Sequence, residues 1–184
     1  MKTPFLTRLG RAHFSVGAAL ACAAVLSQLA SGADAPSPVK LALFDFELED
    51  ASAGASLAGE SPADIALLQQ ITGDARRLVA ASGRYSLVDI AAADAEAVKG
   101  RWLRKCGGCD AGIAASLGAE QSFIGVVTRI SRMEYTLQLQ ISDARTGTVV
   151  FNGESGLRMG ADYSWGRGVA SLIKSRLLDR QDQQ

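Results

Sequence analysis

Apolar positions change their spacing several times along this chain, and each change marks an element. Val39 to Phe46, VKLALFDF, is an apolar run of strand length bounded by Pro38 and an acidic stretch, which predicts a central strand. The next residues, ELEDASAGASLAGE (47–60), are small and acidic without a period and predict a flexible loop. Ser61-Pro62 then supplies a capping hydroxyl with proline at the first helical position. Ile65, Leu68, Ile71, Ala75, Leu78 and Val79 follow at helical spacing as far as Gly83. Tyr85 to Ile90 predicts a second strand. Ala91 to Leu103 reads as a helix anchored by Trp102 and Leu103, and Asp110 as the cap of a short helix, Ala111–Leu117, stopped by Gly118.

The strongest pattern lies further on. Phe123 to Met133 is rich in β-branched residues, and Tyr135, Leu137, Leu139 and Ile141 alternate with Thr136, Gln138, Gln140 and Ser142, so one face of the strand is buried and the other wet. Asp143 to Gly147 reads as a tight turn with glycine at the positive-φ position, after which Thr148 to Phe151 begins a returning strand. Trp165, Val169, Leu172, Ile173 and Leu177 stripe a last helix that runs to about Arg180. The order β-α-β-α-α-β-β-β-α predicts an α+β (α/β) fold with one mixed sheet. An early βαβ unit and a late three-stranded meander build it, with helices mainly on one face.

The amino-terminal segment does not belong to this pattern. Lys2, Arg8 and Arg11 precede an apolar run from Phe14 to Leu29, and small residues around Ala33 close it, which is the layout of a secretory signal peptide. The run is short of the length of about 20 residues that a membrane span needs. Cleavage after Ala33 leaves residues 34–184 as a single periplasmic domain. Lipid attachment would use Cys22, but in Ala19-Leu20-Ala21-Cys22 the leucine stands one place from where that signal requires it.

Removal of the leader changes the available chemistry. All nineteen acids lie beyond it but three of the nineteen bases lie within it, so the mature chain has a net charge of −3 and no basic surface for nucleic acid. The sole histidine, His13, is lost too, and with it any Ser-His-Asp or Cys-His pair and any imidazole metal ligand. Cys106-Gly-Gly-Cys109 is followed by Asp110, so it is no haem-attachment site. No P-loop is present, and nothing marks a small-molecule substrate or a cofactor.

Several stretches carry a family resemblance: LALFDFELED at Leu41 to Asp50, SGRYSLVDI at Ser82 to Ile90, Cys106 with Cys109, LGAEQSFIGVV at Leu117 to Val127, and ISDARTGTVVF at Ile141 to Phe151. Trp165-Gly166-Arg167-Gly168 adds to them. The chain resembles a family of secreted, uncharacterised bacterial proteins classed as a domain of unknown function, and more distantly the amino-terminal domain of TolB and related periplasmic assembly proteins. The resemblance implies a fold, an envelope compartment and a tendency toward protein interactions, and it implies no reaction.

Two groups of residues remain as candidate sites. In an oxidising periplasm Cys106 and Cys109 should pair as a structural disulfide, for which the chain-entropy relation gives about 2 kcal/mol. The alternative is a thiol–disulfide oxidoreductase with Cys106 as nucleophile and Cys109 as resolver; a two-thiolate metal clip would need two further ligands. Asp45, Glu47, Glu49 and Asp50 follow the first strand, where open α/β sheets bind ligands, and four carboxylates suit an interaction surface. Their spacing matches no calcium loop, and alternation turns neighbours to opposite faces, so a solvated loop is the expectation. Arg101, Arg104 and Lys105 could meet an acidic partner or lipid headgroups in peripheral membrane association, though a solvated surface is expected. Arg76-Arg77 reads as the polar side of its helix. The function these features imply is that of a non-enzymatic accessory or protein-binding module of the cell envelope. Its partner would be another envelope protein, recruited through a sheet edge or the segment 47–60.

Overall fold

Three residues where only two are needed set the geometry of this molecule. Leu41 stands opposite Gln121 and Leu43 opposite Phe123, yet Glu47 stands opposite Val126, so Phe44, Asp45 and Phe46 span only Ile124 and Gly125 on the neighbouring strand. This bulge divides the first apolar run into β1 (Val39–Leu43) and β2 (Glu47–Asp50). Because side chains alternate along a strand, one extra residue reverses every face that follows. Leu41 and Leu43 therefore share a core with Phe46 and Leu48, whereas Ala42 and Phe44 enter a second core on the opposite face.

The computed structural model describes residues 37–53, 60–93, 98, 102–158 and 161–179. The predicted leader, residues 1–33, lies outside them. The remaining strands are β3 (Tyr85–Leu87), β4 (Gln121–Arg129), β5 (Glu134–Asp143) and β6 (Val149–Arg158). They form a six-stranded sheet in the order β3-β1-β4-β5-β6, with β2 also paired to β4. β1 runs parallel to β3 and β4, β2 runs parallel to β4, and β4-β5-β6 is an antiparallel meander. The mixed α+β sheet predicted from the sequence is what forms.

Helix α1 (Pro62–Ala81) begins at a capping box: Ser61 Oγ accepts from the amide of Asp64 and the Asp64 carboxylate accepts from the amide of Ser61. Four residues apart on this helix, Thr72 and Arg76 serve the bulge. The Phe46 amide donates to Thr72 Oγ1 at 3.0 Å and Arg76 Nη2 donates to the Leu43 carbonyl at 3.3 Å, so the irregular backbone keeps its hydrogen bonds. Gly125 completes the arrangement, because a Cβ there would lie 2.3–2.5 Å from three ring atoms of Phe46.

The first face of the sheet is packed by α1, α3 (Ala161–Leu172) and a π-helical continuation, Ile173–Leu178. Its core holds Phe123, Leu137, Leu139, Ile141, Trp165 and Ile173, all at most 1% exposed, and Trp165 meets Tyr135 edge-on. Side chains of this size each gain about 1.5–3 kcal/mol on burial. Gly168 lets α3 lie close on the meander, since a Cβ there would stand 2.7 Å from Leu157 Cδ2. The second face carries α2 (Cys109–Ser116) and a smaller core built mostly from alanines around Phe44 and Leu103.

Some sequence expectations need correction. Glu47–Asp50 is a strand rather than part of a flexible loop, held by pairing to β4. β3 stops at Leu87, and Ile90–Ala92 is a 3₁₀ turn capped by Asp89. Within the predicted helix 91–103, residues 94–97 and 99–101 lie outside the described set, and Leu103–Lys105 forms a separate 3₁₀ turn. Trp102, expected as an anchor, is 50% exposed, whereas Leu103 is buried. α2 starts at Cys109 with Gly108 as its cap, so Asp110 lies inside the first turn.

Candidate binding surfaces and the cysteine loop

Cys106 closes the 3₁₀ turn Leu103–Lys105 and Cys109 opens α2, with Gly107 and Gly108 at φ 66° and 100° turning the chain between them. A disulfide joins the two residues, whose Cα atoms are 5.6 Å apart. Both half-buried cysteines pack against the second core, so the crosslink ties the 3₁₀ turn to α2 over that core. Glu47 fixes the other side of this loop: its carboxylate accepts from the Leu103 amide at 2.6 Å and from Arg104 Nη1 at 2.8 Å. Asp110 is 1% exposed and accepts from Ser122 Oγ at 2.5 Å, which pins the start of α2 to β4. Cys106, the nucleophile of the redox alternative, does not begin a helix, the placement that most lowers a thiol pKa.

The four carboxylates of the first-strand region do not converge. The bulge leaves Asp45 at the rim, sends Glu47 and Glu49 toward the cysteine loop, and turns Asp50 toward α1. Asp45 and Asp50 meet separate cations, while Glu47 and Glu49 share one. Asp45 accepts from Arg76 at 2.9 Å, and Glu47 and Glu49 lie by Arg104 at 2.8 and 3.8 Å, with Lys105 3.6 Å from Glu49. Asp50 accepts from Arg129 at 2.8 Å. Among the described residues no group of three or more carboxylates, cysteines or histidines stands ready to hold a metal ion. Arg104, expected at a solvated surface, is 10% exposed in its side chain and stacks 4.2 Å from the centre of the Trp102 ring. Arg101 lies outside the described residues, and Arg77 pairs with Asp74 on its own helix.

Arg129 forms the tightest charged cluster. It donates to Asp50, to Asp64 at 2.5 Å and to the Tyr135 hydroxyl at 3.3 Å, joining β2, α1, β4 and β5. Hydrogen bonds from Ser52 and then Arg129 hold the Asp50 carboxyl below its ordinary range. Burial pushes Asp64 upward, but hydrogen bonds from Arg129 and Ser61 outweigh it and hold Asp64 low as well. Burial likewise opposes the charge on Arg129, and its bonds to Asp64, Tyr135 and Asp50 more than offset that, raising its pKa. The side chains are 17%, 14% and 11% exposed for Arg129, Asp50 and Asp64, so this cluster is architecture rather than a docking surface.

Two open surfaces among the described residues bear on binding. The first is a cleft at the carboxyl ends of β1 and β3, the end where parallel strands of open sheets present ligand sites. One cavity of about 570 Å³ lies between Leu43, Arg76, Val88 and Ile90. A second of about 390 Å³ reaches Glu60, Leu68 and the exposed Trp102, and a third of about 170 Å³ reaches Ile65 and Thr72. Asp45 borders all three. The second surface is the outer edge of β6, which among the described residues pairs only with β5 and leaves Val149 and Val150 48% and 54% exposed. Of the cleft residues, sequence reasoning found Asp45 and Glu47 and placed Glu60 in the candidate segment 47–60, but it missed the apolar wall. Ile65 and Trp102 looked like core positions because they occur at helical spacing, and nothing local marks them as the uncovered end of a stripe.

Residues 39–177 match the model of DUF3280, described as a protein of unknown function (DUF2380). The chain belongs to this family. The DUF3280 match runs from the start of β1 nearly to the end of the π-helical turn, so it includes the cysteine loop, the cleft and β6. The family resemblance seen in the sequence is thereby met. No curated protein sequence matches. Among solved structures, this DUF3280 chain is similar to the LpoB C-terminal domain from Salmonella enterica, at 15% identity and a TM-score of 0.49, covering 69% of this chain and 87% of that one. It is similar to lipoprotein GNA1162 from Neisseria meningitidis at 15% identity and a TM-score of 0.46, covering 79% and 97%. TolB from Acinetobacter baumannii matches at 14% identity and a TM-score of 0.43, covering 76% of this chain and 28% of that one. At TM-scores below 0.5 these likenesses carry nothing about function.

Proposed function

We propose that this protein is a non-enzymatic accessory module of the bacterial cell envelope that recruits a protein partner by pairing a partner strand with β6. The observation that carries the reading is the ten-residue outer edge of β6, unpaired among the described residues and bearing exposed Val149 and Val150. An open edge offers a row of backbone donors and acceptors, and alternate side-chain positions give selectivity. The leader pattern in residues 1–33 and the spacing of Cys106 and Cys109 support a periplasmic location. With the only histidine in that leader, no imidazole is left for acid–base catalysis after export.

Photoreactive side chains placed at Val150 and Glu154 in cells are expected to crosslink to one envelope protein. A Val150→Lys variant that retains the wild-type Tm should lose that product. Crosslinks that persist unchanged in Val150→Lys would remove β6 as the contact. The competing reading, a thiol–disulfide oxidoreductase, predicts catalysed insulin reduction, and none is expected. Mass spectrometry of the mature chain is expected to find an amino terminus at Asp34.

A further inference from the structure

We propose that the cleft around Asp45 is a second recognition site, taking a basic peptide segment of a partner that carries an apolar side chain beside its cation. It goes beyond the strand pairing at β6 and does not depend on it.

Charge and uncovered apolar surface in the cleft favour a basic occupant. Asp45, Glu47, Glu60 and Asp89 line these neighbouring cavities with Arg76, and Arg104 stands behind the wall, paired to Glu47. Four carboxylates facing two cations leave an excess of negative charge. Glu60 has no ion pair among the described residues, and Asp45 remains 73% exposed in its side chain despite Arg76. Both carboxylates are therefore open to a further cation. Between them lies an apolar floor of Phe46 and Leu68, and Ile65 and Trp102 stand 44% and 50% exposed at its margins. Exposed aromatic and aliphatic surface beside solvent-accessible carboxylates fits a lysine or arginine whose stem packs along the apolar wall while its head meets the carboxylates. A neutral or acidic segment would bury the same apolar area but would face uncompensated negative charge. The bulge builds the site: without the extra residue, Asp45 and Phe46 would exchange faces.

The test is a titration of the full mature chain with two acetylated, amidated hexapeptides, Gly-Leu-Lys-Leu-Lys-Gly and its glutamate counterpart, followed by amide and indole NMR shifts. The lysine peptide is expected to shift the Trp102 indole and the amides of Asp45 and Ile65 while β6 stays unmoved. The glutamate peptide should shift none of them. Glu60→Gln is expected to weaken binding by roughly two- to fivefold, an effect that added salt reproduces. Trp102→Ala should weaken it further without altering the fold. No shift with millimolar lysine peptide overturns the proposal, as does equal binding of both peptides or binding that Glu60→Gln leaves unchanged. If the peptide fails while crosslinks through β6 persist, the cleft falls and the accessory role stands; the reverse outcome removes β6 and keeps the cleft.

Discussion

The two faces of the sheet are held by different means. The first buries Trp165, Phe123 and a row of leucines and isoleucines under two helices, with Arg129 bridging β2, α1 and β5 at its rim. The second has Phe44 and Leu103 among alanines, and there the disulfide and the Glu47 carboxylate anchor the loop. A large core supplies its own cohesion; a small one needs crosslinks and charge-assisted hydrogen bonds to hold its cover in place. The bulge at Phe44–Phe46 assigns residues of one short stretch to both faces.

The largest expected effect lies on the first face. Arg129→Ala leaves buried Asp64 and half-buried Asp50 without their cation and should cost about 3 kcal/mol in urea denaturation. The same pair sets an acid limit. Both carboxyls are held below their ordinary range in the folded protein, so the stability they contribute is present above their unfolded pKa, about 3.9, and is lost as pH falls through the lower folded values. Denaturation midpoints measured from pH 6 downward should therefore stay level and then fall below about pH 4. In Arg129→Ala this fall should be shallower. A variant as stable as the wild type would show that the first face does not rely on this cluster.

The junction between the faces comes next. Gly125→Ala forces the Phe46 ring to move and should cost about 1–3 kcal/mol. Phe46→Leu relieves the collision, so the double variant is expected to lose less than the sum of the single changes. Simple additivity would mean that the ring and Gly125 are not in the contact described.

These two sites also show what could be read from the chain alone. The capping signal at Ser61, the alternation of β5 and the turn ending at Gly147, φ 71°, depend on neighbours a few residues away, and all three form as predicted. ELED defeated local reading because its strand is completed by remote partners, Arg104 and Arg129, more than fifty residues along the chain. The bulge itself left no trace: Leu41 to Phe44 are all apolar, and Ala42, Phe44, Phe46 and Leu48 alternate without a break, so no change of parity marks the extra residue. The carboxylates looked like one acidic cluster because sequence proximity conceals the faces to which the bulge sends them. The cleft was hidden more completely, since exposure of Ile65 and Trp102 depends on which helices fail to cover them.

Removing the disulfide tests the second face directly. A Cys106→Ser/Cys109→Ser variant is expected to lose about 2 kcal/mol. Hydrogen exchange should speed up in α2 and the Leu103–Lys105 turn while β5 keeps its protection, because the larger core is assembled independently. Loss of protection across the whole sheet would mean that the faces are one cooperative unit and that the contrast between them has no energetic meaning.

The smallest effect separates the tryptophans, which the sequence presents alike. Trp165 is 1% exposed, in contact with Tyr135, and its truncation to alanine belongs with large core deletions of about 3–5 kcal/mol. Trp102 is half exposed, and its main contact is the guanidinium of Arg104, a contact of about 0.5–1 kcal/mol at exposed sites. Arg104 is already held by Glu47, so losing the ring should leave the guanidinium in place. Trp102→Ala is accordingly expected to change stability by no more than about 1 kcal/mol while it weakens binding in the cleft. A cost above about 2 kcal/mol would place Trp102 in the second core and end its role as a free recognition surface.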